Sequence, residues 1–107
     1  FIFHVTGHDP DEFCKAARAE GVSMSAHYID DPIYMRGNFL TEKHTYGKSG
    51  CPFTCGVTSR DYDYGPDLVP GAVKALSTVV VRSLHEHMSE DDIRDIAGAI
   101  QKVARGM

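Results

Sequence analysis

Ser89-Glu90-Asp91-Asp92-Ile93-Arg94-Asp95-Ile96-Ala97-Gly98-Ala99-Ile100-Gln101-Lys102-Val103-Ala104-Arg105-Gly106 is the stretch that decides the fold, because it carries its own start and stop signals. Ser89 is placed to cap a helix, and Asp92 sits three residues on as its partner in an S-x-x-D box. Glu90, Asp91 and Asp92 put negative charge at the positive end of the helix dipole, Lys102 and Arg105 fall in the last turn, and Gly106 follows. Ile93, Ile96, Ala97, Ile100, Val103 and Ala104 recur at helical spacing. A helix with one apolar stripe needs an apolar partner, and the expected partner is a sheet.

Strands stand on both sides of the chain to supply it. Thr78 to Arg82, rich in valine, reads as a strand, preceded by a short helix that Pro70 opens through Val73 and Leu76. At the other end, Phe1 to Thr6 alternates Phe1, Phe3 and Val5 with Ile2, His4 and Thr6. Asp9-Pro10-Asp11-Glu12 then supplies a cap, a proline suited to the first helical position and a glutamate able to reach back to the cap. That helix uses Phe13, Ala16 and Ala17 as its apolar side, with Cys14 as a small core residue, and ends at Glu20-Gly21. Val22 to Tyr28 alternates again, with Val22, Met24, Ala26 and Tyr28 opposite Ser23, Ser25 and His27. The reading is an α+β domain, a small, mostly antiparallel sheet covered by helices on one face, in the order β-α-β, long loop, α-β-α.

The chain has 107 residues, the length of one domain, so residues 1–107 are expected to form a single one. At 42% hydrophobic and 24% charged residues the composition excludes collagen-like and disordered classes. A formal charge of −4 leaves no footprint for a phosphate backbone or an anionic membrane, so neither nucleic acid nor membrane is expected as a partner. No apolar run reaches membrane-spanning length and no signal-peptide pattern opens the chain, so a cytoplasmic location is expected. Three cysteines cannot all pair within one chain; reduced thiols are the expectation. The strand-like start at Phe1, without an initiating Met, reads as a piece of something longer.

Between Ile29 and Val69 periodicity fails, yet Tyr34, Phe39, Tyr46, Phe53, Tyr62 and Tyr64 are more rings than a solvated linker carries. Such a loop suits binding, and His27, a polar residue ending a half-buried strand at its mouth, is a candidate contact. Cys51 and Cys55 with His44 raise a zinc site, but a second pair of ligands is missing, and ordinary loop thiols are the preferred reading. His85-Glu86-His87 reads as a connecting loop in preference to a metal site. No Ser-His-Asp order, nucleophile elbow or phosphate-cradling glycine loop occurs, and the five lysines fall on helix surfaces or in the loop, so no catalytic residue is assigned.

Several of these stretches resemble one family. Leu84-His85-Glu86-His87-Met88-Ser89-Glu90-Asp91-Asp92-Ile93 with the following helix, Asp9 to Tyr28 with Glu20-Gly21-Val22 and Ala26-His27-Tyr28, and Glu42-Lys43-His44-Thr45-Tyr46-Gly47 through Ser49-Gly50-Cys51-Pro52-Phe53 are similar to the small C-terminal domain of the DegT, DnrJ and StrS sugar and cyclitol aminotransferases. Arg82-Ser83 stands where many members have Leu-Pro, Glu86 where Pro is frequent and His44 where Arg is common.

The resemblance implies part of a fold-type I aminotransferase dependent on pyridoxal 5'-phosphate, which moves an amino group from an amino acid, Glu or Gln, to a keto-sugar or keto-cyclitol. It further implies a homodimer, with the cofactor and its Schiff-base lysine on a large domain of the same enzyme, so these residues alone should be inactive. His27, Tyr28, Tyr34 and Tyr46 are then the expected substrate contacts. A non-enzymatic α+β binding or regulatory module is the alternative, and a zinc-binding interaction domain a third.

Overall fold

A computed structural model describes every residue except Thr58 and Tyr62; Tyr62, one of the rings expected to pack in the loop, therefore lies outside the described residues. The chain is α+β, with a three-stranded antiparallel sheet and four helices. It divides into two compact units, a sheet unit of Phe1–Asp30 with Ala75–Met107 and an insert of Asp31–Lys74.

In the sheet unit β1 (Ile2–His4) and β2 (Ser25–Ala26) both pair antiparallel with β3 (Val79–Val81), giving the order β1-β3-β2. Phe3 lies opposite Val80, and Val80 opposite Ala26, so these three form one row across the sheet. That row faces α1 (Pro10–Ala19) and α4 (Glu90–Gly106). Val5, Phe13, Cys14, Ala17, Val22, Met24, Val80 and Val103 close the core, with Ala17 and Val80 wholly buried. Sequence alternation sets this up, since every second residue of a strand points to the same face. Ile2 and His4 accordingly point away and are exposed.

The helix signals work largely as read. The Asp9 carboxylate accepts the backbone N–H groups of Asp11 at 2.8 Å and Glu12 at 3.3 Å, and Gly21 takes a left-handed φ of 88° after the last turn. Glu12 does not reach back to the cap; it faces Lys15, one turn on, at 3.6 Å. Ser89 and Asp92 form the reciprocal box, with Ser89 N–H donating to the Asp92 carboxylate at 2.8 Å and Asp92 N–H to Ser89 Oγ at 3.2 Å. The Ser89 hydroxyl, which also donates to the Asp92 carboxylate at 2.7 Å, and then the Ser89 N–H hold that carboxyl below its ordinary range. Ser89→Ala should therefore cost about 1 kcal/mol, read as a lower melting temperature, and Ser89→Asn should restore most of it.

Two expectations need correction. The buried stripe of α4 is Ile96, Ala99, Ile100 and Val103, while Ile93, Ala97 and Ala104 are exposed. At about 100° per residue the first four span one face of about 100°, and the other three lie together on its flank. Second, the strand read from Val22 to Tyr28 pairs only at Ser25–Ala26. Burial still alternates from Val22 to Ala26, but His27 and Tyr28 turn left-handed, at φ 63° and 55°, and end the ladder.

The long segment read as coil is not featureless. In the insert, Ile33–Met35 and Pro66–Leu68 form single 3-10 turns and Asn38–Thr41 a one-turn helix, α2; α3 is Pro70–Leu76. Among the described residues no helix is long and apolar enough to cross a membrane.

Candidate functional site at the end of β2

The chain leaves β2 through a strained turn. His27, Tyr28 and Asp30 all have φ between 55° and 63°, a region where a side chain collides with its own backbone. Each such residue costs on the order of 1 kcal/mol and persists only where its surroundings enforce it. Here the enforcing contacts are visible. His27 N–H donates to Val79 O at 2.9 Å and Asp30 N–H to His27 O at 3.0 Å.

The imidazole of His27 closes the turn from the other side. Its Nδ1 lies 3.1 Å from Leu76 O and its Nε2 3.1 Å from Asp11 Oδ2. Neither a carbonyl nor a carboxylate can donate, so both bonds form only when both ring nitrogens carry protons. The Leu76 carbonyl foremost, then the Asp11 carboxylate, raise the His27 pKa above its ordinary 6.5, against a smaller opposing effect of burial. His27 thus has both ring nitrogens engaged inside the chain, in an arrangement that favours its protonated form. Its neighbour Tyr28 is 64% exposed. Asp11 carries no signal in the sequence, lying 16 residues from His27 on another element.

Tyr34 and Tyr46, the other expected contacts, belong to the insert. Tyr34 is half-buried, its hydroxyl donating to Gly65 O at 2.7 Å and its ring meeting Tyr64 edge-on at 6.3 Å. Phe53 meets Tyr64 in turn, at 6.1 Å and 87°. Tyr46 is fully exposed. Lys43 pairs with Asp61, whose carboxyl the ammonium holds below its ordinary range.

The expectation of reduced thiols fails for two of the three cysteines. Cys51 and Cys55 form a disulfide, their Cα atoms 4.8 Å apart, while Cys14 is a buried free thiol in the core, as read. Odd count and compartment argued for thiols, but a separation of four residues folded into a tight loop lies within disulfide reach. Bonded to each other, the two sulfurs are not thiolate ligands, and His44 Nε2 instead meets the Glu42 carboxylate at 2.7 Å. His85 and His87 lie in an exposed connection between β3 and α4.

Lys15 and Lys102 pair with Glu12 and Glu20 at 3.6 and 2.6 Å, Lys43 is half-buried beside Asp61, and Lys48 and Lys74 are exposed. None of these five lysines is buried. In comparison with known proteins, no family model, no curated protein and no solved structure matches the chain.

Proposed function

We propose that this chain is the small, substrate-facing domain of a pyridoxal 5'-phosphate-dependent aminotransferase that passes an amino group from Glu or Gln to a keto-sugar or keto-cyclitol. The observation that carries the reading is the left-handed His27–Tyr28–Asp30 turn, which holds a doubly hydrogen-bonded imidazole and an exposed phenol at a strand end. Strain of this kind collects where a ligand is met. The residues present do not fit the cofactor itself, since none of the lysines is buried. In this reading the cofactor, its lysine and the second subunit of a homodimer come from polypeptide outside these residues, and no chemical step is assigned to the chain.

What the chain contributes is placement of the substrate. The Tyr28 hydroxyl and ring offer a donor, an acceptor and an apolar face to a polyhydroxylated molecule. His27, with both nitrogens engaged, fixes the backbone that presents Tyr28.

In the whole enzyme, Tyr28→Phe should raise the KM for the keto substrate about five-fold, the worth of one hydrogen bond of about 1 kcal/mol, and leave the half-reaction with the amino donor unchanged. An unchanged KM for the keto substrate would remove Tyr28 from the site. The chain alone should show no amino transfer. Exposure of Ile33 at 78% and of the whole Tyr46 side chain in the insert favours, as second reading, a module that binds a protein partner. Amino transfer by the whole protein excludes that reading.

A further inference from the structure

We propose that the Cys51–Cys55 pair is a reversible thiol–disulfide switch that sets the order of the Phe53–Tyr64–Tyr34 ring cluster in the insert. The inference is independent of the aminotransferase reading.

The insert has little else to hold it. Every buried hydrophobic side chain of the core, from Val5 to Val103, belongs to the sheet unit; among the described residues of the insert Pro32 alone is buried. A segment without a core depends on cross-links and a few specific contacts. The specific contacts here include the edge-on rings of Phe53, Tyr64 and Tyr34, the bond from the Tyr34 hydroxyl to Gly65 O and the Lys43–Asp61 ion pair. Phe53 lies inside the cross-linked loop. At that loop Gly50 O accepts Thr54 N–H at 2.8 Å and Thr54 Oγ–H at 3.2 Å, and Ser49 Oγ accepts Cys51 N–H at 3.3 Å. Gly50 sits at φ 70° with the Thr54 hydroxyl where a Cβ would stand, so the turn closes only around glycine. Opening the disulfide frees one end of the segment that presents Phe53 to Tyr64.

Reversal is chemically available. Cys51 is exposed, and closure of so short a loop adds little to a cross-link's stability. The thiolate of a small cellular thiol attacks Cys51 Sγ, the Cys51–Cys55 bond breaks, and Cys55 leaves as a thiolate that takes up a proton. A second thiol attacks the mixed disulfide at its own sulfur, forms the oxidised small-molecule disulfide and releases Cys51 as thiolate, which is protonated in turn. Two electrons pass to the protein, and a small-molecule disulfide drives the sequence backwards. Cys14, buried between α1 and the sheet, takes no part; burial pushes its thiol up and away from the thiolate form.

The test is to poise the protein in glutathione buffers from oxidising to reducing, count thiols, and record amide and tyrosine-ring NMR spectra. Under oxidising conditions no thiol should react in the folded protein and one, Cys14, after denaturation. Under reducing conditions two more should react in the folded protein, the Tyr34 and Tyr64 ring signals should lose dispersion, and the Ala17 and Val80 signals should stay in place. Cys51→Ser/Cys55→Ser should show the reduced spectrum in every buffer, with the Ala17 and Val80 signals reporting that the sheet unit remains folded. Thiols that are free throughout, a disulfide that persists in the most reducing buffer, or reduction that leaves the Tyr34 and Tyr64 signals unmoved would each overturn the proposal.

Discussion

Val80→Asp is expected to abolish the cooperative melt of the sheet unit. Val80 is wholly buried at the centre of β3, between Phe3 and Ala26 in the row beneath the helices. A carboxylate there would lie among apolar side chains, and burying such a charge costs more than about 4 kcal/mol. A domain of this size holds about 5–10 kcal/mol in all, so a single substitution takes most of it. Val80→Ala removes only contacts and should cost about 2 kcal/mol, leaving a lower but cooperative transition. Circular dichroism melts separate the two. A Val80→Asp protein melting cooperatively near the wild-type temperature would contradict the placement of β3 under α1 and α4.

The second large effect is a loss of stability as pH rises above the ordinary histidine value of 6.5. The His27 pKa is raised in the folded chain, so the stability this provides is fully present below the unfolded value near 6.5 and is lost as pH climbs through the higher folded value. Deprotonation removes one of the two protons that both bonds require, and the strained turn loses either Asp11 or Leu76. A charge-assisted bond is worth about 1.5–3 kcal/mol, but Asp11 is 73% exposed, which reduces the expectation to about 1 kcal/mol. Denaturant titrations between about pH 5.5 and 8.5 should show this decline in the wild type and a shallower one in Asp11→Asn, which keeps the shape and removes the charge. Equal slopes would mean that the carboxylate does not hold the imidazole.

Local signals were the legible part of this molecule. Asp9, Gly21 and the Ser89–Asp92 box announce helix ends because capping is a contact between residues two to four apart, and strand alternation placed Phe3, Val5, Val22 and Met24 inward. What the sequence hid depends on contacts distant in the chain or on backbone geometry. Nothing local marks His27 and Tyr28 as left-handed; the turn is enforced by Val79, Leu76 and Asp11, from three other parts of the chain. The α4 stripe was misplaced by one flank because Ile93, Ala97 and Ala104 satisfy helical periodicity as well as Ala99 does, and only the position of the sheet decides between them. His27 was singled out for its place at a strand end, but its partner Asp11 was not, nor, in the insert, was the pairing of Cys51 with Cys55.

The role proposed for these residues is in amino transfer. The most direct measurement is the visible absorption spectrum of the whole native protein that contains them, titrated with Glu or Gln and then with a keto-sugar or keto-cyclitol. The reading predicts the colour of bound pyridoxal 5'-phosphate, its replacement by the amine form on addition of the donor, and its return when the keto substrate carries the nitrogen away. A colourless protein that moves no labelled nitrogen from either donor would contradict it.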